Sequence, residues 1–235
     1  QVLDANEIAE QMSEVIDFTG AKGKVVYNPH TTAVQFDALW MPETVTDLAA
    51  GDVFKIGMRM NLKDNGTGSI NGGGISWRNL CLNLIIVDEQ YAPAFRIRHW
   101  GDARERAHEI IYPAMQRVKE GFNVFMEDWG YLQDTHVKNV KLWGREFPSV
   151  DEALVWAVEN KKIGYNVPTK ALMPGLAEGY EFEGGDSLAD LVNAITRGAW
   201  VASFKMDERA ELERDAGSLV PLFAEAVQDS RKIVV

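Results

Sequence analysis

The stretch Asp52–Ile70, DVFKIGMRMNLKDNGTGSI, decides the fold class. Phe54, Ile56, Met58, Met60 and Leu62 alternate with Val53, Lys55, Gly57, Arg59 and Asn61. Successive side chains of a strand point to opposite faces, so this period of two predicts a half-buried strand. Asp64-Asn65-Gly66 follows, residues that tolerate positive φ, and Thr67–Ile70 returns as the second arm of a long hairpin.

Toward the N-terminus, Lys24–Tyr27 and Thr32–Phe36 are β-branched and aromatic around Asn28-Pro29-His30, which predicts two short strands and a turn. Ala5–Phe18 carries Ile8, Met12, Val15 and Ile16 at helical spacing behind Asp4, an amphipathic helix. Toward the C-terminus, Asn71-Gly72-Gly73-Gly74 reads as a flexible connector, and Leu80, Leu84 and Ile85 favour a helix over a strand within Ile75–Ile86. Ala94–His99 alternates Phe95 and Ile97 with Arg96 and Arg98, a strand whose polar face is basic. Asp102 then caps a long helix with Ala107, Ile111, Val118 and Phe122 on one side, kinked at Pro113.

Beyond it, Ser149 caps a helix containing Leu154, Val155, Ala157 and Val158. Val167–Gly179 reads as loop, Asp186–Phe204 as a strongly apolar helix, and Asp207–Asp215 and Ser218–Ser230 as two more helices. The expected fold is α+β: an antiparallel sheet with a long hairpin packed against helices, plus a mainly helical C-terminal region. Residues 1–147 form the α+β core region and 148–235 the helical region, packed with it as one domain.

The 235 residues carry 24 Lys and Arg against 35 Asp and Glu, a formal charge of −11. That balance excludes a protein that indiscriminately coats nucleic acid or an anionic membrane, because such binders need a positive surface potential. A single cysteine, Cys81, excludes an internal disulfide and fits the reducing interior of a host cell, with a virion as the alternative location. No apolar run approaches the length of a membrane span, and no signal peptide is readable.

The glycines of Asn65–Gly74 invite a phosphate-binding reading, but neither Gly-Lys-Ser/Thr nor Gly-x-Gly-x-x-Gly occurs there, so a turn and connector are favoured. Cys81 has no local base to make it a nucleophile. His30, His99, His108 and His136 are too scattered for a ligand-spaced pair, and no metal or cofactor is expected. No acid/base pair stands out among the carboxylates, so a non-enzymatic role is favoured.

The basic residues are unevenly spread. Val53–Arg106 holds eight basic and five acidic residues, net +3, which leaves −14 for the rest of the chain. Lys55 and Arg59 share one strand face, Arg96 and Arg98 another, and Arg104 begins the following helix. A fold that merged them would build a groove for a phosphate backbone, with Trp77 or Trp100 stacking on bases. The competing reading pairs these arginines with the abundant carboxylates and buries the tryptophans in the core.

Three segments, Lys63-Asp64-Asn65-Gly66-Thr67-Gly68-Ser69, Arg78-Asn79-Leu80-Cys81-Leu82-Asn83 and Arg96-Ile97-Arg98-His99-Trp100-Gly101, stand in the order of a family's motifs. Together with Leu191-Val192-Asn193-Ala194-Ile195-Thr196, they make the chain resemble a family of uncharacterised phage/plasmid-like proteins. That family shows an Asp-Gly-Ser turn, Arg-x-x-Cys-x-Asn, Ile-Arg-His-x-Gly and an Asn-Ala-Val-Thr helix. Trp100 departs from its pattern, replacing a small polar residue, and the family's N-terminal region is longer.

The resemblance implies a mobile-element setting and no particular reaction. The leading expectation is a phage or plasmid protein that handles nucleic acid, binding or annealing single-stranded DNA as a homo-oligomer. Lys55, Arg59, Arg78, Arg96, Arg98 and Arg104 would contact phosphates, and Trp77 and Trp100 would stack. The alternatives are a self-assembling structural viral protein, which the apolar Leu191, Ile195, Trp200, Val201 and Phe204 would suit, and an acidic decoy of a host defence protein.

Overall fold

The computed structural model describes residues 22–28, 33–40, 54–63, 69–78, 83–92, 94–98, 103–201 and 205–232. The architecture is α+β. The strands are β1 (Lys22–Asn28), β2 (Ala33–Trp40), β3 (Phe54–Lys63), β4 (Ser69–Arg78), β5 (Asn83–Ile86) and β6 (Phe95–Arg98). The helices are α1 (Ala103–Gln133), α2 (Val150–Glu159), α3 (Thr169–Glu183), α4 (Leu188–Val201) and α5 (Met206–Lys232). The helix expected over Ala5–Phe18 lies outside the described residues.

The chain forms two compact units, 1–77 with 89–122 and 78–88 with 123–235. The division falls inside α1 and gives β5 to the helical unit, whereas the sequence reading places a boundary near Pro148.

In the first unit β1, β2, β3 and β4 lie side by side in chain order, with β6 on β4. β1 and β2 pair antiparallel with Val25 opposite Phe36, and β2 and β3 pair antiparallel with Phe36 opposite Met60. β3 differs from the half-buried strand that its alternation predicts. Phe54, Ile56, Met58 and Met60 are buried as expected, but Gly57 and Arg59 between them are buried too, so both faces of its middle are covered.

The glycine run is the second difference. Asn71–Gly74 is no connector, because β4 passes straight through it to Arg78. The helix favoured within Ile75–Ile86 gives way to the end of β4 and to strand β5. Long-range pairing decides this. Gly72 stands opposite Phe95 of β6, and a β-carbon there would collide with the Phe95 ring, so the missing side chain makes room for an aromatic one. Ile75, Ser76 and Ile85 are buried within these strands.

α1 runs for 31 residues, about 46 Å at 1.5 Å per residue, and continues through Pro113. Ile111, Ala114, Val118, Phe122, Phe125, Trp129 and Leu132 recur every three or four positions and form its buried face. Its last part belongs to the helical unit, where Phe125 stacks on Trp129 at 5.9 Å.

In that unit the cap expected at Ser149 forms, and a second one accompanies it. Ser149 Oγ accepts a hydrogen bond from the Glu152 backbone N–H at 3.3 Å. Ser187 and Asp190 form a reciprocal cap at the start of α4. Ser187 Oγ accepts from the Asp190 N–H at 3.1 Å, and Asp190 Oδ2 accepts from the Ser187 N–H at 2.8 Å.

α3 replaces the loop expected over Val167–Gly179. Pro174, Gly175 and Gly179 are poor helix formers, and what holds them helical is the crossing with α4. A β-carbon at Gly179 would land on the Ala194 carbonyl oxygen, and one at Gly198 would lie 2.8 Å from the Gly175 carbonyl. Likewise α5 is one helix and not two. Leu212, Ala216, Leu219, Val220, Phe223 and Val227 continue a single buried face across Gly217, which sits against the Ile86 carbonyl of β5. Leu191 and Ile195, candidates for self-association in the sequence, are fully buried within the unit.

Candidate nucleic-acid interface

Of the predicted phosphate-contacting residues, the sheet brings Arg96 and Arg98 together. β6 pairs antiparallel with β4, placing Arg98 opposite Ser69, Ile97 opposite Ile70 and Arg96 opposite Asn71. The period of two then sorts the pairs. Ile70 and Ile97 are buried, while Asn71, Arg96 and Arg98 are exposed and Ser69 is half-buried, all on the opposite face.

Arg96 is held in place. Its Nε–H donates to Ser69 Oγ at 2.8 Å, a diagonal contact across the two strands. Asn71 Nδ2 in turn donates to the Ser69 carbonyl at 3.2 Å. One of five guanidinium donors is thereby used to fix the direction of the group. Among the described residues neither Arg96 nor Arg98 forms an ion pair. Two cations at alternate positions of one strand stand about 6.7 Å apart along it. Such a row can follow a phosphodiester chain, with the Ser69 hydroxyl and Asn71 amide supplying further hydrogen-bonding groups.

The other candidates are placed differently. Arg59 is 8% exposed, and the register sets Asp37 of β2 directly opposite it, so it is a covered interior position of the sheet and not part of an open face. Lys55 lies four residues before it on β3, Trp77 and Arg78 end β4, and Arg104 is the second residue of α1. Arg78 is counted with the helical unit and Lys55 and Trp77 with the sheet unit. Trp100 lies outside the described residues, as do Cys81, His30 and His99.

A second feature, in the helical unit, has no counterpart in the sequence reading. Leu142 and Arg145 exchange backbone hydrogen bonds of 2.8 and 2.9 Å around a two-residue turn. Trp143 (φ 52°) and Gly144 (φ 79°) both adopt left-handed backbone there. Such a turn ordinarily begins with Asn, Asp or Gly, and a bulky residue in this region is strained. Packing offsets the cost. The Trp143 indole lies 5.4 Å from Trp156, 5.5 Å edge-on from Phe223 and 6.2 Å from Phe147, with the Arg145 guanidinium 5.4 Å from the Trp156 ring. Beside it opens a groove of about 550 Å³ between the 138–146 segment and Leu222–Ser230 of α5. Aromatic residues this far apart in sequence give no local signal of their meeting.

No described helix is long and apolar enough to cross a membrane. Comparison with protein-family models, curated proteins and solved structures gives no match to this chain, so its functional reading rests on the geometry above.

Proposed function

We propose that this chain is a phage- or plasmid-type protein that binds single-stranded nucleic acid across the open face of β6 and the facing part of β4. Arg96 and Arg98 contact phosphates, with Ser69 and Asn71 beside them. The observation that carries the reading is the exposed arginine pair that no described carboxylate neutralises, one member of it oriented by Ser69. The overall charge of −11 fits the same picture, because acidic surroundings confine an anionic strand to the basic strip and oppose sticking elsewhere.

The reading is tested by fluorescence anisotropy with a labelled oligonucleotide over a series of salt concentrations. Single-strand affinity should fall steeply with salt, and Arg96→Ala with Arg98→Ala should flatten the log–log slope by about 1.4, at about 0.7 per phosphate contact. Absence of binding at low salt, or a slope unchanged by the double substitution, refutes it.

A further inference from the structure

The groove beside Trp143 has a rim whose two sides differ in the sign of their net charge. Lys138, Lys141 and Glu146 stand on the 138–146 side, net +1, and Glu225 and Asp229 stand on α5, net −2, all five exposed. These opposite charges line one groove, yet Lys138 and Glu225 form no ion pair with any described residue. Lys141 reaches Glu146 at 3.9 Å with both side chains more than two-thirds exposed (69% and 74%), a contact weak enough to be exchanged for another. Leu222, 43% exposed, and the half-buried Trp143 supply apolar surface between the two charged sides.

We propose that this groove is an interface between two copies of the chain, related by a twofold axis, in which the lysine side of one protomer meets the carboxylate side of its partner. A surface carrying both signs on opposite sides of an apolar strip is complementary to itself, which is the requirement of an isologous contact. A nucleic-acid strand would be repelled by Glu225 and Asp229. Aromatic and large aliphatic groups at the centre with charges at the rim are the ordinary anatomy of a protein–protein contact. The strained turn has a use here, since it sets Trp143 at the groove edge, where its indole is packed from behind and only part of it is open.

The test uses charge reversal in the full chain, without nucleic acid, read by sedimentation velocity up to about 100 µM. The native chain should show a concentration-dependent dimer. Lys138→Glu with Lys141→Glu makes both sides acidic, and Glu225→Lys with Asp229→Lys makes both basic. Each variant alone should dissociate about tenfold or more readily, because like charges then face each other. Mixed in equal amounts, the two variants should form a heterodimer at least as tight as the native dimer. Leu222→Glu, at an exposed position that does not enter the core, should separately weaken the native dimer. A native chain that stays monomeric, reversed variants that still self-associate, a mixture that stays monomeric, or an unaffected Leu222→Glu dimer would each overturn the proposal.

Discussion

Replacing Gly198 by alanine and replacing Gly130 by alanine make the same chemical change in the interior of a helix, and they should move stability in opposite directions. At Gly198 on α4 the new β-carbon would lie 2.8 Å from the Gly175 carbonyl carbon and oxygen and 3.0 Å from the Leu176 nitrogen. Ordinary contact begins near 3.4 Å, so α3 and α4 must separate by about 0.6 Å. The obstructing atoms are backbone, and no side-chain rotation relieves them. Overpacking of this kind costs about 1–3 kcal/mol, against a gain of about 1 kcal/mol from alanine's better helix propensity. A net loss approaching about 2 kcal/mol follows, or roughly 4–8 °C in Tm at 2–4 °C per kcal/mol for a chain of this size. Gly130, in α1, has nothing within 4 Å of its built β-carbon, so Gly130→Ala keeps the propensity gain alone and should raise Tm by roughly 2–4 °C. Thermal unfolding followed by circular dichroism, with urea titration as a check, reads both. If Gly198→Ala proves as stable as the native chain, α3 and α4 are not held by glycine-mediated contact and the explanation for helix in the 169–183 segment fails.

Two further outcomes follow from the helical unit. Asp215 accepts a hydrogen bond from the Gly164 N–H at 2.7 Å, yet burial, with Glu211 adding, holds its carboxyl above the ordinary range, the Gly164 bond and Arg214 opposing. The folded chain therefore binds this proton more readily than the unfolded one, so its contribution to stability grows as pH falls through the raised pKa and is lost as pH rises through it. Asp215→Asn keeps an acceptor for Gly164 and should flatten that part of the Tm–pH profile without lowering Tm at neutral pH; a steeper profile would contradict the assignment. Ser149→Ala removes the N-cap of α2 and should cost about 1 kcal/mol in urea unfolding, whereas an unchanged midpoint would show that the cap contributes nothing.

What could be read from the sequence was what local chemistry encodes. Strand β3 announces itself because Phe54, Ile56, Met58 and Met60 alternate with Lys55, Gly57 and Arg59, and Ser149 announces α2 because a hydroxyl before Asp151-Glu152 satisfies a helix end. The misread segments all depend on partners far along the chain. Gly72 looks like a hinge until Phe95 is set against it, and Gly179 looks like a loop residue until the Ala194 carbonyl occupies its missing side chain. Gly217 looks like a helix end until Ile86 is seen to need the space. The same limit governs the site. Arg59 and Arg96 stand in equally alternating strands, and only what covers each strand makes the first an interior position and the second an open one. Trp143-Gly144 carries no turn signal in the sequence because turn chemistry expects a small polar residue where the tryptophan stands.

The arginine strip is decided by single-strand binding compared at low and high salt for the native chain and for Arg96→Ala with Arg98→Ala. Tight, salt-sensitive binding that the double substitution weakens, with a log–log slope smaller by about 1.4, is the predicted result. Binding that is absent at low salt, or that the substitutions leave untouched in both affinity and slope, would contradict it.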